Sequence, residues 1–385
     1  MEQTKAIDWL KAILRTDTVN PPGNEERVAK QLEALFLECD IQTERVPYSD
    51  GRMNLIATLK GDGGSDKVLG LCGHMDVVPT GDRQWSYDPF AADEVDGKIY
   101  ARGACDMKSG LMACVMAMIQ LKEAGVKLAG DVKLLATVGE EVGAVGAKQL
   151  VEEGHADDLD ALIIAEPTKS EIVVTHKGAL WIAITCYGKT AHGSRPHHGV
   201  NALMHMNEIM NALLSDRFQM KYRRETLLGE PTFSMNAISA GANTNVVPDS
   251  CTLKLDIRSV PSQDHKEIVA DIQSIIDEVK ESLPDLNADI HVENDLSPMQ
   301  TAPDHAFVDF LLDFYESETG ERKTPRGMSG YTDGSQFMKN KKDFPIVIWS
   351  GIQGSTAHQP NEYVDIADYL RTIDLFKAVA QEYLR

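Results

Sequence analysis

The chain alternates between apolar runs typical of buried strands and stretches whose apolar residues recur at helical spacing. The first part predicts helices at 6–15, at 25–36 with Asn24 as its cap, at 107–121 and at 145–152, and strands at 54–59, 68–72, 132–138 and 161–165. Strands that alternate with helices form mostly parallel sheets covered by helices. This part therefore predicts an α/β domain with a mixed, mostly parallel sheet.

The pattern changes after residue 177 and changes back near residue 296. Between these points we expect a compact unit of alternating strands and helices with an antiparallel sheet, the strands at 180–187, 233–238, 251–257 and 288–292 and the helices at 201–214 and 266–283. A helix at 305–316, a strand at 346–349 and a helix at 366–383 then resume the first pattern. We therefore expect one α/β domain, residues 1–176 and 294–385, interrupted by an inserted α+β domain, residues 177–293.

The charge and cysteine content of the chain limit which partners and which cellular compartment we expect. The chain of 385 residues has 38 Lys and Arg against 59 Asp and Glu, a formal charge of −21. Such an acidic balance argues against partners that a basic surface would bind, namely nucleic acid and anionic membranes. The six cysteines form no C-x-x-C pair and lie in apolar contexts, which predicts buried free thiols. With no visible secretory signal and no membrane-spanning apolar run, we expect a cytoplasmic protein.

Polar residues that could carry chemistry follow the apolar strands, at the points where these strands are predicted to end. Because the carboxyl ends of parallel strands meet at one edge of a sheet, side chains at these points come together in space. The candidates are His74 and Asp76 after 68–72, Asp106 before 107–121, Glu140 and Glu141 after 132–138, Glu166 after 161–165 and His358 after 346–349.

Taken singly, each candidate has a simpler structural interpretation. Asp106 suits the cap of the helix that follows it, and the acidic pair Glu140-Glu141 suits an exposed helix start. Together, however, two histidines and three carboxylates form the ligand set that two Zn²⁺ or similar ions prefer. One shared carboxylate can hold two such ions about 3.5–4 Å apart for amide hydrolysis. Neither H-E-x-x-H nor G-x-S-x-G occurs, which argues against a zincin and a serine hydrolase.

These segments, in this order, resemble the two-zinc metallopeptidase and aminoacylase family. That family contains acetylornithine deacetylase, succinyl-diaminopimelate desuccinylase, aminoacylase, bacterial dipeptidases and glutamate carboxypeptidase. The resemblance implies a catalytic α/β domain and an inserted lid that also forms a homodimer interface. It implies metal ligands at His74, Asp106 (shared by both ions), Glu141, Glu166 and His358, an orienting Asp76, and Glu140 as general base on a water that bridges the ions. The implied cofactors are two Zn²⁺, with Co²⁺ or Mn²⁺ as possible substitutes.

The inserted domain carries further segments that resemble the family. The segment 188–193 implies that His192 stabilises the oxyanion in the active site of the partner subunit. Asn245 in the segment 241–248 and Gly330 in the glycine-rich segment 327–334 correspond to substrate-binding positions. Arg258 corresponds to an arginine that holds a substrate carboxylate, a role that its planar guanidinium fits.

The resemblance implies removal of an acetyl or succinyl group from a small N-acyl amino acid. A dipeptidase or carboxypeptidase of the same family is the alternative, since it would share every metal ligand. A non-catalytic binding relative is a further alternative, and the presence of every ligand position argues against it. Ser335 and Gln336 follow the Asp-Gly of the glycine-rich segment, where desuccinylases often carry an arginine, so a strict desuccinylase assignment stays open.

Overall fold

The computed structural model describes residues 3–385, which divide into two compact units. The first unit comprises the described residues up to Thr175 together with Gln300–Gly327 and Thr332–Arg385. The second comprises His176–Met299 and the short segment Met328–Tyr331. Among the described residues, no helix combines the length and apolar character needed to cross a bilayer.

Strands and helices follow one another along the whole described chain. The strands are β1 (Gln42–Ser49), β2 (Arg52–Leu59), β3 (Val68–His74), β4 (Asp93–Val95), β5 (Lys98–Tyr100), β6 (Asp131–Thr137), β7 (Ala161–Ile164), β8 (Val173–His176), β9 (Ala179–Tyr187), β10 (Thr232–Ala240), β11 (Ser250–Arg258), β12 (Asn287–Leu296), β13 (Met299–Gln300), β14 (Arg326–Met328), β15 (Ile346–Ile348) and β16 (Tyr363–Asp365). The helices are α1 (Gln3–Leu14), α2 (Glu26–Glu38), α3 (Lys108–Glu123), α4 (Val145–Glu152), α5 (Ala202–Leu213), α6 (His265–Ser282), α7 (Ala306–Thr319), α8 (Gly334–Phe337) and α9 (Ile366–Tyr383).

A mixed sheet organises the first unit. Its strand order is β1-β2-β6-β3-β7-β15-β8-β13, with β14 beside β8. The central neighbours β6, β3, β7 and β15 run parallel, while β1, β2 and β6 pair antiparallel. Every residue of β3 is buried, as expected for a strand covered on both faces. The expected mixed sheet, parallel at its centre, is confirmed, and its parallel strands end at one edge.

Helix α3 lies against this sheet and is buried on almost every side, since apolar and small residues surround its axis. It packs on α9 and on β3. Gly110 in its first turns meets the strand end so closely that an added Cβ would lie 2.0 Å from the carbonyl oxygen of Ala165. A glycine here therefore lets the helix start lie directly beside the residues that follow β7.

The second unit is an antiparallel sheet of order β10-β11-β9-β12 that packs against α5 and α6. Alternate residues of the central strands face these helices, among them Ile182 and Ile184 from β9 and Leu253 from β11, and all are buried. The element order strand-helix-strand-strand-helix-strand is the predicted one. The edge strand β10 is exposed along much of its length.

Two expectations about local structure were wrong or incomplete. Asn24 does not cap α2, because its φ is +64° and Glu25 immediately precedes the helix without capping it through its side chain. The carboxylate of Glu25 is instead paired with Arg52. Strand β1 was not predicted, since its sequence is polar and its residues are mostly exposed. The six cysteines are free and five of them are buried, as expected.

Candidate metal centre

The predicted site residues of the first unit converge at the carboxyl edge of its sheet. His74 is the last residue of β3, Glu140 and Glu141 lie in a short 3₁₀ turn after β6, and Glu166 follows β7. Asp106 comes just before α3, and His358 lies in the loop before β16. The parallel directions of β3, β6 and β7 account for this convergence, because their ends share one edge.

Asp106 lies between the two histidines and offers one oxygen to each. Its Oδ1 is 3.2 Å from Nε2 of His74, and its Oδ2 is 3.2 Å from Nε2 of His358. Glu166 Oε1 is 3.6 Å from the first imidazole, and Glu141 Oε1 is 3.1 Å from the second. Asp106 does not cap α3, since Met107 directly precedes that helix and no side chain caps it.

These residues form two ligand groups that share one carboxylate. In each group, His74-Asp106-Glu166 and Asp106-Glu141-His358, one ligand atom per residue lies within 4.8 Å of the others. A set of imidazoles and carboxylates suits Zn²⁺ and related ions better than Ca²⁺ or Mg²⁺, which favour oxygen alone. The residues present therefore fit two divalent cations held by a common Asp106.

The electrostatics of the cluster agree with this fit. Burial raises the pKa of Glu140 and of Glu166 well above the usual range, and neighbouring carboxylates raise it further. Burial alone would raise the pKa of Asp106 as well, but hydrogen bonds from His358 and His74 outweigh burial and lower it. Hydrogen bonding to Asp106 and Glu141 raises the pKa of His358 to about 10. So many acidic groups buried together favour a bound cation.

His74 is held by the backbone of Asp76. Its Nδ1 lies 2.9 Å from the carbonyl oxygen of Asp76, whereas the nearest carboxylate oxygen of Asp76 is 3.6 Å away. Because a carbonyl only accepts, Nδ1 donates to it, and Nε2 is the ring nitrogen that faces Asp106. The contact between Asp76 and the His74 ring is thus made by the main chain of Asp76 rather than by its carboxylate.

The carboxylate of Asp76 holds a different part of the site. Its Oδ1 accepts the backbone N–H of Glu140 at 3.1 Å, and its Oδ2 accepts that of Glu141 at 3.3 Å. The side-chain amide of Asn20 donates to the same Oδ2 at 2.9 Å. Asp76 therefore fixes the turn that carries the candidate base and a candidate ligand.

Three buried carboxylates near the site were not predicted. Glu25 accepts the backbone N–H of Gly139 at 3.2 Å, and Glu362 accepts the backbone N–H groups of Cys105 and Asp106. Asp333 accepts the hydroxyl of Thr137 at 2.6 Å, and burial raises its pKa to about 6. No local pattern in the sequence marks these contacts, although Glu362 lies close to His358 along the chain.

The remaining predicted residues belong to the second unit. His192 Nδ1 accepts the backbone N–H of Ser194 at 3.1 Å, so the ring proton of the neutral imidazole is on Nε2. The neighbouring Gly193 donates its N–H to the carbonyl of Asn245 at 2.7 Å, which brings these two segments together. Arg258 lies 2.9 Å from Asp256 on its own strand, and Gly330 is in the segment Met328–Tyr331.

Known proteins resemble the chain over its whole length. A probable succinyl-diaminopimelate desuccinylase from Staphylococcus aureus is 33% identical, with 100% of this chain and 98% of that protein aligned. An acetylornithine deacetylase from Proteus mirabilis is 29% identical over 97% of this chain and 93% of its own length. A metallo-carboxypeptidase from Sulfolobus solfataricus shares the fold, with a TM-score of 0.83 at 22% identity, covering 100% of this chain and 99% of that one.

The family model that matches is Peptidase family M20/M25/M40, aligned with residues 70–382. This range includes every predicted metal ligand and confirms the resemblance seen in the sequence. The protein therefore belongs to peptidase family M20/M25/M40, a family of metal-dependent hydrolases.

Proposed function

We propose that the protein is a two-metal amidohydrolase that removes an acetyl or succinyl group from an N-acyl amino acid. The observation that carries the proposal is the pair of ligand groups that share Asp106, with Glu140 beside them. Relatives named as a desuccinylase and a deacetylase favour this branch of the family over others. We propose that the two ions are Zn²⁺, for which Co²⁺ or Mn²⁺ could substitute.

Glu140 is the proposed general base. Its Oε2 lies 4.0 Å from Nε2 of His74, so the carboxylate borders the ligand cluster, and its backbone is fixed by Asp76. Two bound cations would polarise the amide carbonyl and lower the pKa of the attacking water. Glu140 then accepts a proton from that water and passes it to the leaving nitrogen.

Residues of the second unit are proposed to bind the acyl amino acid. His192 with a proton on Nε2 is a donor of the kind an oxyanion needs. Arg258 would exchange its pairing with Asp256 for the substrate carboxylate, while Asn245 and Gly330 would contact the remainder of the substrate. The substrate amide would then face the metal ions and the substrate carboxylate would face Arg258, so the substrate would bind to positive charge although the chain as a whole is acidic.

The alternative is a dipeptidase or carboxypeptidase built on the same ligands. It would share every metal ligand, so only the substrate pocket distinguishes it. Ser335 bears instead on the acyl group, since it is fully buried just after Asp333-Gly334, at the place where desuccinylases often have arginine. A buried serine provides no cation for a succinyl carboxylate. The acetyl group carries no such carboxylate, so this position favours a deacetylase over a strict desuccinylase.

A substrate panel tests the proposed function. With Zn²⁺ or Co²⁺ added, we expect kcat/KM for N-acetylornithine, N-succinyl-diaminopimelate or another N-acyl amino acid to exceed that for dipeptides by at least about 100-fold, equivalent to about 3 kcal/mol of transition-state binding. Steady-state release of the free amine measures this for each compound. A preference for dipeptides would instead assign the protein to the peptidase branch.

We also propose that the protein is a homodimer formed through the second unit. Strand β10 is an edge strand whose outward side is exposed, and Ile238 on it is 49% exposed. On α5 of the same unit, Met204 is 54% exposed. An uncovered strand edge with apolar side chains favours pairing with another chain.

Mixed dimers would reveal whether His192 acts in the site of its partner subunit. Refolding or subunit exchange of equal amounts of Glu140→Gln and His192→Ala protein should restore about a quarter of the wild-type activity. Half of the dimers are then mixed, and each has one site with both native groups. If His192 served its own subunit, every site would lack one group and the mixture would stay as inactive as its components.

A further inference from the structure

Glu362 is a buried carboxylate that belongs to neither ligand group, yet it contacts the main chain beside the shared ligand. We propose that Glu362, held by Arg102, is a positioning residue that fixes Asp106 between the two metal ions. The inference rests on the proposed two-metal centre and adds to it a residue that determines its geometry.

One oxygen of Glu362 holds two consecutive peptide groups. Its Oε1 accepts the backbone N–H of Cys105 at 2.8 Å and that of Asp106 at 2.9 Å. Glu362 is fully buried, so water does not compete for these bonds. Together these two bonds fix the backbone of the segment before α3.

The other oxygen of Glu362 is fixed by Arg102. Its Oε2 lies 2.5 Å from Nη1 of Arg102, whose side chain is 2% exposed. The same guanidinium donates to the carbonyl of Pro79 at 3.2 Å and to that of Gln359 at 3.4 Å, and it stacks over Trp85. Glu362 is therefore restrained from both sides.

This arrangement ties together the two segments on which both ligand groups depend. Glu362 lies four residues after His358, and Arg102 contacts Gln359, the neighbour of His358. Arg102 itself lies four residues before Asp106. The ion pair between Arg102 and Glu362 thus connects the segment that carries Asp106 with the segment that carries His358. Because Asp106 must present one oxygen to each ion, a small rotation of its peptide would impair both sites at once.

The test is a graded substitution series. Glu362→Gln keeps one acceptor oxygen, whereas Glu362→Met keeps the length and removes both. We measure the Kd for Zn²⁺ by titration calorimetry on protein from which a chelator has removed the metal. We expect this Kd to rise by about 10–100-fold in the Met variant and by less in the Gln variant. The absorption bands of the Co²⁺-substituted protein should shift as the ligand geometry relaxes.

Thr301→Val provides the matched control. Thr301 is buried in the first unit, donates to the carbonyl of Ile346 at 2.7 Å and accepts its N–H at 2.8 Å. Its loss removes buried side-chain-to-backbone bonds without contact to a ligand segment. We expect it to lower Tm while leaving the Zn²⁺ affinity and the Co²⁺ spectrum as in the wild type.

Wild-type binding separates the two hypotheses. If the wild type binds no Zn²⁺, the proposed metal centre fails; if both Glu362 variants match wild-type affinity and spectrum, the positioning role alone fails. Hydrogen exchange on wild-type protein covers the case in which the variants do not fold. Slow exchange of the Cys105 and Asp106 amides in the metal-free protein is expected, and exchange as fast as in an open loop would overturn the proposal.

Discussion

Replacing Glu140 by glutamine is expected to reduce kcat by about 10²–10⁴-fold, the usual contribution of a general base. The amide is isosteric but cannot accept the proton of the attacking water. Glu140 lies close enough to His74 and Glu141 to form a further possible ligand group, but it is outside both groups that share Asp106, so we expect the bound metal to remain. Steady-state kinetics on the preferred substrate, with metal content measured on the same sample, provides the check.

The neighbouring carboxylate supplies the matched comparison. Glu141→Gln alters the same 3₁₀ turn, but Glu141 contacts His358 and belongs to a ligand group. We expect it to lose metal and to recover part of its activity at high metal concentration, which Glu140→Gln should not do. Full activity in metal-loaded Glu140→Gln protein would show that another group is the base.

Removal of divalent metal is expected to abolish amide hydrolysis, with kcat/KM falling by at least about 10³-fold. Without cations, Glu140 has no activated water to deprotonate, and the several kcal/mol of carbonyl polarisation are lost. Dialysis against a chelator followed by activity assays measures the loss. Return of two equivalents of Zn²⁺ or Co²⁺ per chain should restore the rate.

Magnesium is the control ion for that experiment. Mg²⁺ prefers oxygen ligands and keeps much of its water, so a site with His74 and His358 should bind it poorly. If Mg²⁺ alone restored amide hydrolysis, or if the activity survived treatment with a chelator, the two-metal proposal would be contradicted. A chain that binds Zn²⁺ tightly but hydrolyses nothing in the panel would instead be a non-catalytic relative.

The sequence predicted the architecture where local patterns are strong. The buried strands β3 and β6 and the helix α4 follow from apolar runs and helical spacing, because burial on both faces leaves a clear apolar signal. Strand β1 was missed because an exposed edge strand is polar. The prediction that Asn24 caps α2 was wrong because it rested on the side chain alone, and the backbone of Asn24 is left-handed.

The sequence also predicted which first-unit residues would converge, since parallel strands end at one edge. It gave no sign of the carboxylates that support them. Asp333 meets Thr137 across 196 residues of sequence, and Glu362 meets Cys105 across 257. Contacts at such separations depend on tertiary packing, which neither periodicity nor residue spacing encodes. The main-chain contact of Asp76 to His74 was equally invisible, because any residue has a carbonyl.

The cluster of buried acids in the first unit would make the protein's abundance depend on its metal supply. Glu140 and Glu166 are drawn out of water close together, which the folded chain tolerates at a cost in free energy. An ion that binds only the folded state at 100 times its Kd adds about 2.7 kcal/mol of stability. Metal scarcity would therefore remove molecules through unfolding and proteolysis, and the number of enzyme copies would follow the available metal.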